Sequence, residues 1–235
     1  VDVRAADFDD TAKLAEAFKG ATRLLLISTD VIDRPGRRLE QHSNAIAAAE
    51  KAGVAHVIYT SMPNPENSPL LIAPDHEGTE RALIASKLKG WTLLRNHWYF
   101  ENLFYSLPHA IKSGTWYTAA GDGKIAHIAR EDLAKAAAAA LASNETGKNT
   151  YTLSGAEART TTEIAKLVSD VVGKPIAVVQ VPLEGLVQGM VGSGMPEVIA
   201  RVFASFDTNT AAGRVADVTD DYKKLTSNDN TPFTS

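Results

Sequence analysis

Arg23-Leu-Leu-Leu-Ile-Ser is an unbroken apolar run, the pattern of a strand covered on both faces in a parallel sheet. His56-Val-Ile-Tyr-Thr-Ser and Trp91-Thr-Leu-Leu-Arg repeat it. Helical periodicity fills the intervals. It predicts a helix from Arg37 to Ala52 closed by Gly53, a second from Pro74 to Ser86 after the polar, proline-bearing loop Met62 to Ser68, and a third from Trp98 to Lys112. At the front, Val1-Asp-Val-Arg reads as a strand already in progress. Asp7-Phe8-Asp9-Asp10 then reads as a loop and N-cap before a helix at Thr11 to Phe18. Alternating strands and helices imply an α/β fold, a Rossmann-like parallel sheet with helices on both faces and right-handed crossovers. Ligands of such sheets sit at the carboxyl ends of the strands. That places interest at Ser28-Thr29-Asp30, Thr60-Ser61-Met62, Arg95-Asn96-His97 and Ala6-Asp7-Phe8.

Beyond Gly114 the pattern changes. Thr115-Trp-Tyr-Thr and Lys124-Ile-Ala-His-Ile read as short strands around a hairpin signal, Gly121-Asp-Gly. Arg130 to Ala142 is an alanine-rich helix with Glu131 and Asp132 in its first turn, which suits the macrodipole. A strand at Asn149 to Leu153, a helix at Thr160 to Val172, a strand at Ile176 to Val181 and a glycine-broken helical stretch from Leu183 to Phe206 follow. We divide the chain into a Rossmann-like domain, 1–113, and a mainly smaller α+β lobe, 114–235, with strands returning to the main domain.

Composition narrows the classes. A chain of 235 residues with 44% hydrophobic and 22% charged positions is ordinary for a globular protein. A net charge of −4 carries no nucleic-acid footprint. No cysteine is present, which removes disulfides, thiolate metal sites and cysteine nucleophiles and favours a cytoplasmic setting. No apolar run is long enough to span a membrane. None of the six histidines forms a His-x-x-x-His pair with a nearby acid, and no Gly-x-Ser-x-Gly elbow occurs. Metalloenzyme and hydrolase readings lose ground accordingly. A glycine-rich turn that would cradle a pyrophosphate is also absent.

Several strings carry a family resemblance. They are Tyr59-Thr-Ser, Pro69-Leu-Leu-Ile-Ala-Pro-Asp-His76 with Glu80, Thr92-Leu-Leu-Arg-Asn-His-Trp-Tyr-Phe-Glu-Asn102, Ala119-Ala-Gly-Asp-Gly-Lys-Ile125, and Ala129-Arg130. In this order they resemble the NmrA-like group of atypical short-chain dehydrogenases, and look like NAD(P)H:quinone oxidoreductases of type 2 and triphenylmethane reductases. The likeness runs from Val1 to about Thr231. Members of that group open with a strand, a Gly-x-x-Gly-x-x-Gly loop, a helix and a second strand. The chain is therefore expected to lack its first βαβ element and a final helix after Pro232, and by itself to bind NADPH weakly or not at all.

The resemblance implies an NADPH-dependent reductase acting on a quinone-like or other flat conjugated acceptor, without metal or flavin. Its partners would be small molecules, with no nucleic acid and no membrane; a homodimer stays open. On this pattern the cofactor would meet Asp7 and Phe8, Ser28 and Thr29, Thr60 and Ser61, and Arg95 and Asn96. His97, Trp98, Tyr99 and Arg130 would meet the acceptor. Asn96 and His76 would carry the chemistry. Bland roles stand beside each: Asp7 as a plain N-cap, Trp98 and Tyr99 as core, Arg130 and His76 as surface residues. His42 is assigned to the outer side of its helix. Typical short-chain dehydrogenases use Tyr-x-x-x-Lys; here Ile72-Ala-Pro-Asp-His76 stands in its place, so an imidazole replaces the lysine. A non-catalytic dinucleotide sensor of the NmrA type is the second reading, and the absence of Tyr-x-x-x-Lys does not separate the two.

Overall fold

The structure is a computed structural model that describes residues 2–233. Four parallel strands form the central sheet in the order β1 (Arg23–Leu26), β2 (His56–Ser61), β3 (Gly90–Asn96), β6 (Lys148–Leu153). Side chains alternate across it. Val57, Tyr59, Trp91 and Leu93 face helices α2 (Arg37–Ala52) and α3 (Ala73–Ala85). Ile58, Leu94 and Leu153 face α5 (Arg130–Ala142) and α9 (Asp221–Thr226). Both faces are thus dry, as continuous apolar strands require.

Helices α2 and α3 share one design. The buried stripe of α2 runs Arg38, Gln41, His42, Ala45, Ile46, Ala48, Ala49. That of α3 runs Ala73, Asp75, His76, Thr79, Glu80, Leu83. Both stripes follow helical spacing, and both are polar in the first turns and apolar afterwards. A crossover helix after a parallel strand starts at the strand's carboxyl end. The polar turns therefore lie where ligands bind in such sheets, and the alanine and leucine turns lie over the sheet.

The second lobe contains β4 (Thr115–Thr118), β5 (Lys124–Ile125), β7 (Arg159–Thr160), α6 (Thr161–Val172), β8 (Ala177–Gln180), α7 (Leu183–Gly192) and α8 (Glu197–Ala211). Its helices α7 and α8 pack on each other through Leu186, Val187, Ala200 and Ala204. Strand β6 and helices α5 and α9, although late in the chain, belong to the main sheet.

Four expectations need correction. Residues 2–6 form no strand, and Val1 lies outside the described residues, so β6 and not the N-terminal segment supplies the fourth strand. The stretch after Trp98 is not one helix. It is a 3₁₀ turn, Phe100–Tyr105, and then α4, Leu107–Ser113, with Pro108 in its first turn, where a residue without an N–H donor is tolerated. Gly121-Asp-Gly closes no hairpin: β4 pairs in parallel with β8, and β5 pairs with β7. The turn instead packs against α8, where a Cβ on Gly123 would stand 2.3 Å from the Thr210 carbonyl oxygen. Finally, His42 points inward and is fully buried.

Candidate active site

A cleft of about 380 Å³ opens at the carboxyl ends of the sheet strands, lined on one side by the main sheet and on the other by the second lobe. Ser28, Thr60, Ser61 and Asn96 contribute from strand ends, and Arg38 and His76 from the first turns of α2 and α3. Phe203 and Phe206 of α8 face them across the gap.

The polar wall is built around Tyr59, which is completely buried on β2. Its hydroxyl lies 2.9 Å from Nδ1 of His76, and Nε2 of His76 lies 3.1 Å from a guanidinium nitrogen of Arg38. A guanidinium can only donate, so Nε2 accepts. The His76 proton then sits on Nδ1 and is given to the Tyr59 oxygen. His42 is fixed in the same way. The backbone N–H of Thr29 donates to its Nε2 at 3.0 Å, which leaves Nδ1–H to donate to Thr79 Oγ1 at 2.9 Å. Thr79 in turn donates to the Asp75 carbonyl at 2.6 Å. Burial, helped by the neighbouring Arg38 charge, drives the pKa of His42 down to about 3 and that of His76 well below its usual range. Burial pushes Tyr59 the other way, above the ordinary phenol range. All three are neutral near pH 7.

Asn96 ends β3. Burial raises the pKa of Tyr99, and an Asn96 hydrogen bond to its hydroxyl opposes that rise. Asn96 Oδ1 is buried and has no hydrogen-bond partner among the described residues, so a carbonyl acceptor is open to a ligand amide. Trp98 stacks on Tyr99 with centroids 6.1 Å apart and lies 3.8 Å from the Phe206 ring, giving the cleft an apolar aromatic wall. Further in, His97 and His127 are buried. Burial pulls them to about 4 and about 3, with the Val215 backbone and the Asp217 charge opposing the fall at His97.

The structure gathers Ser28, Thr60, Ser61, His76, Asn96, His97, Trp98 and Tyr99 around one cleft. Other candidates sit elsewhere. The Arg95 guanidinium is taken by Glu80, with Nε to Oε1 at 3.0 Å, and by Glu66 at 2.8 Å, while Ser61 donates to the same Glu80 oxygen at 2.6 Å. The amides of Ser28 and Thr29 are already used by Thr60 Oγ1 and His42. Asp7 is exposed, and Phe8 packs against the α2 side of the core. Arg130 lies 5.3 Å over the Tyr99 ring and donates to Asn102 Oδ1, behind the cleft wall. Arg38, Tyr59 and Phe206 had been given no role. A signal for Arg38 exists in the sequence: charged and polar residues at i and i+4 that continue a helix's apolar stripe, here Arg38 and His42 ahead of Ala45 and Ala49, and His76 and Glu80 ahead of Leu83.

Comparison with known proteins decides the family: residues 1–231 match the NmrA-like family. The chain belongs to it. Over 225 residues it is 36% identical to quinone oxidoreductase 2 of Escherichia coli strain K12, covering 96% of this chain and 77% of that protein. It is 26% identical to an NAD(P)H azoreductase of Xenophilus azovorans over 227 residues, 96% of this chain and 78% of the relative. Among solved structures, the E. coli NADPH-dependent quinone oxidoreductase complexed with NADPH superposes with a TM-score of 0.94 at 35% identity, covering 100% of this chain and 81% of that one. Citrobacter sp. triphenylmethane reductase gives 0.90 at 31% identity with the same coverage. His76, on α3, is neutral, and the cation it meets, Arg38, stands on a different helix. Among the described residues no cluster of three or more His, Asp or Glu could hold a metal ion, and no helix is long and apolar enough to cross a membrane.

Proposed function

We propose that this NmrA-like protein is an NADPH-dependent reductase that delivers a hydride to a quinone-like or other flat conjugated acceptor. The observation that carries the reading is the pairing, in one cleft, of a buried amide oxygen without a partner among the described residues, Asn96 Oδ1, with an aromatic wall of Trp98, Tyr99 and Phe206. The first suits the carboxamide N–H of a nicotinamide, and the second suits a flat apolar acceptor. The activities by which the relatives are named, quinone oxidoreductase and azoreductase, support it, as does the NADPH bound to the E. coli neighbour.

NADPH, when bound, supplies the hydride. The chain's own residues orient and desolvate. Asn96, with Ser28 and Thr60 beside it at strand ends, would hold the nicotinamide side. Ser61 keeps β2's end fixed through Glu80. Trp98 and Tyr99 would receive the acceptor ring, and His97 a polar group deeper in the cleft. His76, neutral with its proton committed to Tyr59, positions the Arg38 guanidinium and is not a proton donor. The proton that completes the reduced acceptor comes from solvent.

The test is NADPH oxidation by the full-length protein with a simple quinone, followed at the NADPH absorbance. Turnover supports the reading. NADPH binding without turnover on quinones, azo dyes or triphenylmethane dyes replaces it with the sensor reading.

A further inference from the structure

Arg38 is a cation in an unfavourable place. It is 4% exposed. Among the described residues its Nε is buried without a hydrogen-bond partner, its one hydrogen bond to a side chain goes to neutral His76, and no carboxylate forms an ion pair with it. Asp75 and Asp30 act on it only through longer-range attraction, and burial pulls its pKa below the usual guanidinium value. It also stands in the first turn of α2, the positive end of a helix, where a cation is disfavoured. Burying an uncompensated charge costs several kcal/mol on the order of magnitude known for proteins. Such a cost persists where a ligand supplies the missing anion.

The surroundings indicate which anion. Two amides at the N-terminus of α2 are already taken: Asp75 Oδ1 accepts the Leu39 N–H at 3.4 Å, and its carboxylate also takes the amide of Gly36. A second fixed anion such as a phosphate would meet that carboxylate at the helix end. On its other side Arg38 shares the cleft with Trp98, Tyr99 and Asn96. We propose that Arg38 is the oxyanion-binding residue of the cleft, receiving the negative oxygen that an aromatic or conjugated acceptor acquires when it is reduced. This rests on the reductase reading. A hydride adds two electrons and one hydrogen to a quinone, NADPH becomes NADP⁺, and the product carries one phenolate oxygen until water supplies a proton. A guanidinium held in a water-poor cleft stabilises that oxygen as charge develops. Tyr59 and His76 serve as its buttress: the Tyr59 oxygen accepts the His76 Nδ1–H and holds the ring in place, and His76 Nε2 accepts from the guanidinium and orients it. The preferred ligands are therefore phenolate-forming molecules, and phenolates should outbind their neutral phenols.

The experiment uses 4-nitrophenol, whose ionised form absorbs in the visible, as a product mimic on the full-length protein. Wild type, Arg38→Lys and Arg38→Met are compared. Wild type should bind the phenolate at least tenfold more tightly than the phenol, read as a fall of about one unit in the pKa of the bound probe. Lys should retain part of the shift and Met should abolish it, while calorimetric affinity for NADPH stays within about threefold in all three. Melting curves check folding. If the Met variant does not fold, Arg38→Gln takes its place and must abolish the shift. An unshifted probe in wild type, or a shift that survives in the Met or Gln variant, overturns the proposal. So does a tenfold loss of NADPH affinity, which would assign Arg38 to the cofactor's phosphates. A wild-type protein that shifts the probe but never oxidises NADPH would remove the reductase reading and leave the oxyanion site standing.

Discussion

The backbone N–H of Thr29, just past the end of β1, donates to Nε2 of His42 on α2 at 3.0 Å. This bond ties the strand end to the helix that carries Arg38, four residues earlier on the same stripe. His42 is therefore a structural joint beneath the site. Replacing it with Ala should leave the Thr29 amide without its acceptor and the Thr79 hydroxyl without its donor, although Thr79 still donates to the Asp75 carbonyl, and should open a cavity. A loss on the order of 3 kcal/mol is expected, measured by urea unfolding. A midpoint within experimental error of wild type would show that the joint is dispensable.

Asn96 gives the sharpest functional contrast. Asn96→Ala should lower turnover at saturating NADPH by roughly tenfold or more, since about 1.4 kcal/mol of barrier is one decade. Lys166→Ala, an exposed change on α6 whose partner is Asp170, should leave the rate unchanged. Circular dichroism confirms folding in both. Equal rates for the two variants would remove Asn96 from the mechanism.

Acid should destabilise this protein through its histidines. Burial lowers the folded-state pKa of His42, His56, His76, His97 and His127 below 6.5, to about 3 for His42 and His127 and about 4 for His97. Above pH 6.5 both folded and unfolded forms are neutral and these groups contribute nothing to the pH dependence. Below it the unfolded chain takes up protons that the folded chain refuses. Stability then falls with pH, by up to about 1.4 kcal/mol per pH unit for each such histidine. Melting temperatures measured from pH 7.5 to 5 should drop steeply once the pH passes below 6.5, and a flat profile there would contradict the buried neutral state. Replacing His127 with Phe, which keeps a ring against Phe100 and Phe233, should reduce the slope.

Gly155 holds β6's exit against the His127 segment: its N–H donates to the Ala126 carbonyl at 3.1 Å, and an added Cβ would lie 1.8 Å from the His127 carbonyl oxygen. Gly155→Ala must push these backbones apart and should cost on the order of 3 kcal/mol. Gly189, whose Cβ would meet nothing within 4 Å, is the control. Its replacement by Ala within α7 should be neutral or slightly stabilising, as read from melting temperatures.

The order and type of the main elements were legible in the chain itself. Strands β1 to β3 are unbroken apolar runs, and α2 and α5 carry helical periodicity and end signals, all local properties of sequence. Strings such as Leu94-Arg-Asn-His-Trp-Tyr99 also sufficed to mark the family and to point at the strand ends. What sequence could not decide was which neighbour each polar side chain would meet. Arg95 and Asn96 are adjacent, yet alternation along β3 turns Arg95 to Glu80 and Asn96 to the cleft. His42 and His76 look like surface histidines because each is flanked by polar residues. Only the packing of α2 on α3 brings Thr79 and Arg38 within 2.9 and 3.1 Å of their rings and removes them from water. Likewise β6 became the fourth strand through its register with β3, Trp91 opposite Lys148 to Asn96 opposite Leu153. That pairing spans more than fifty residues of intervening chain, and no local pattern encodes it. Burial, tautomer and charge compensation are properties of such long-range contacts, so the cationic site at Arg38 is a product of the tertiary structure alone.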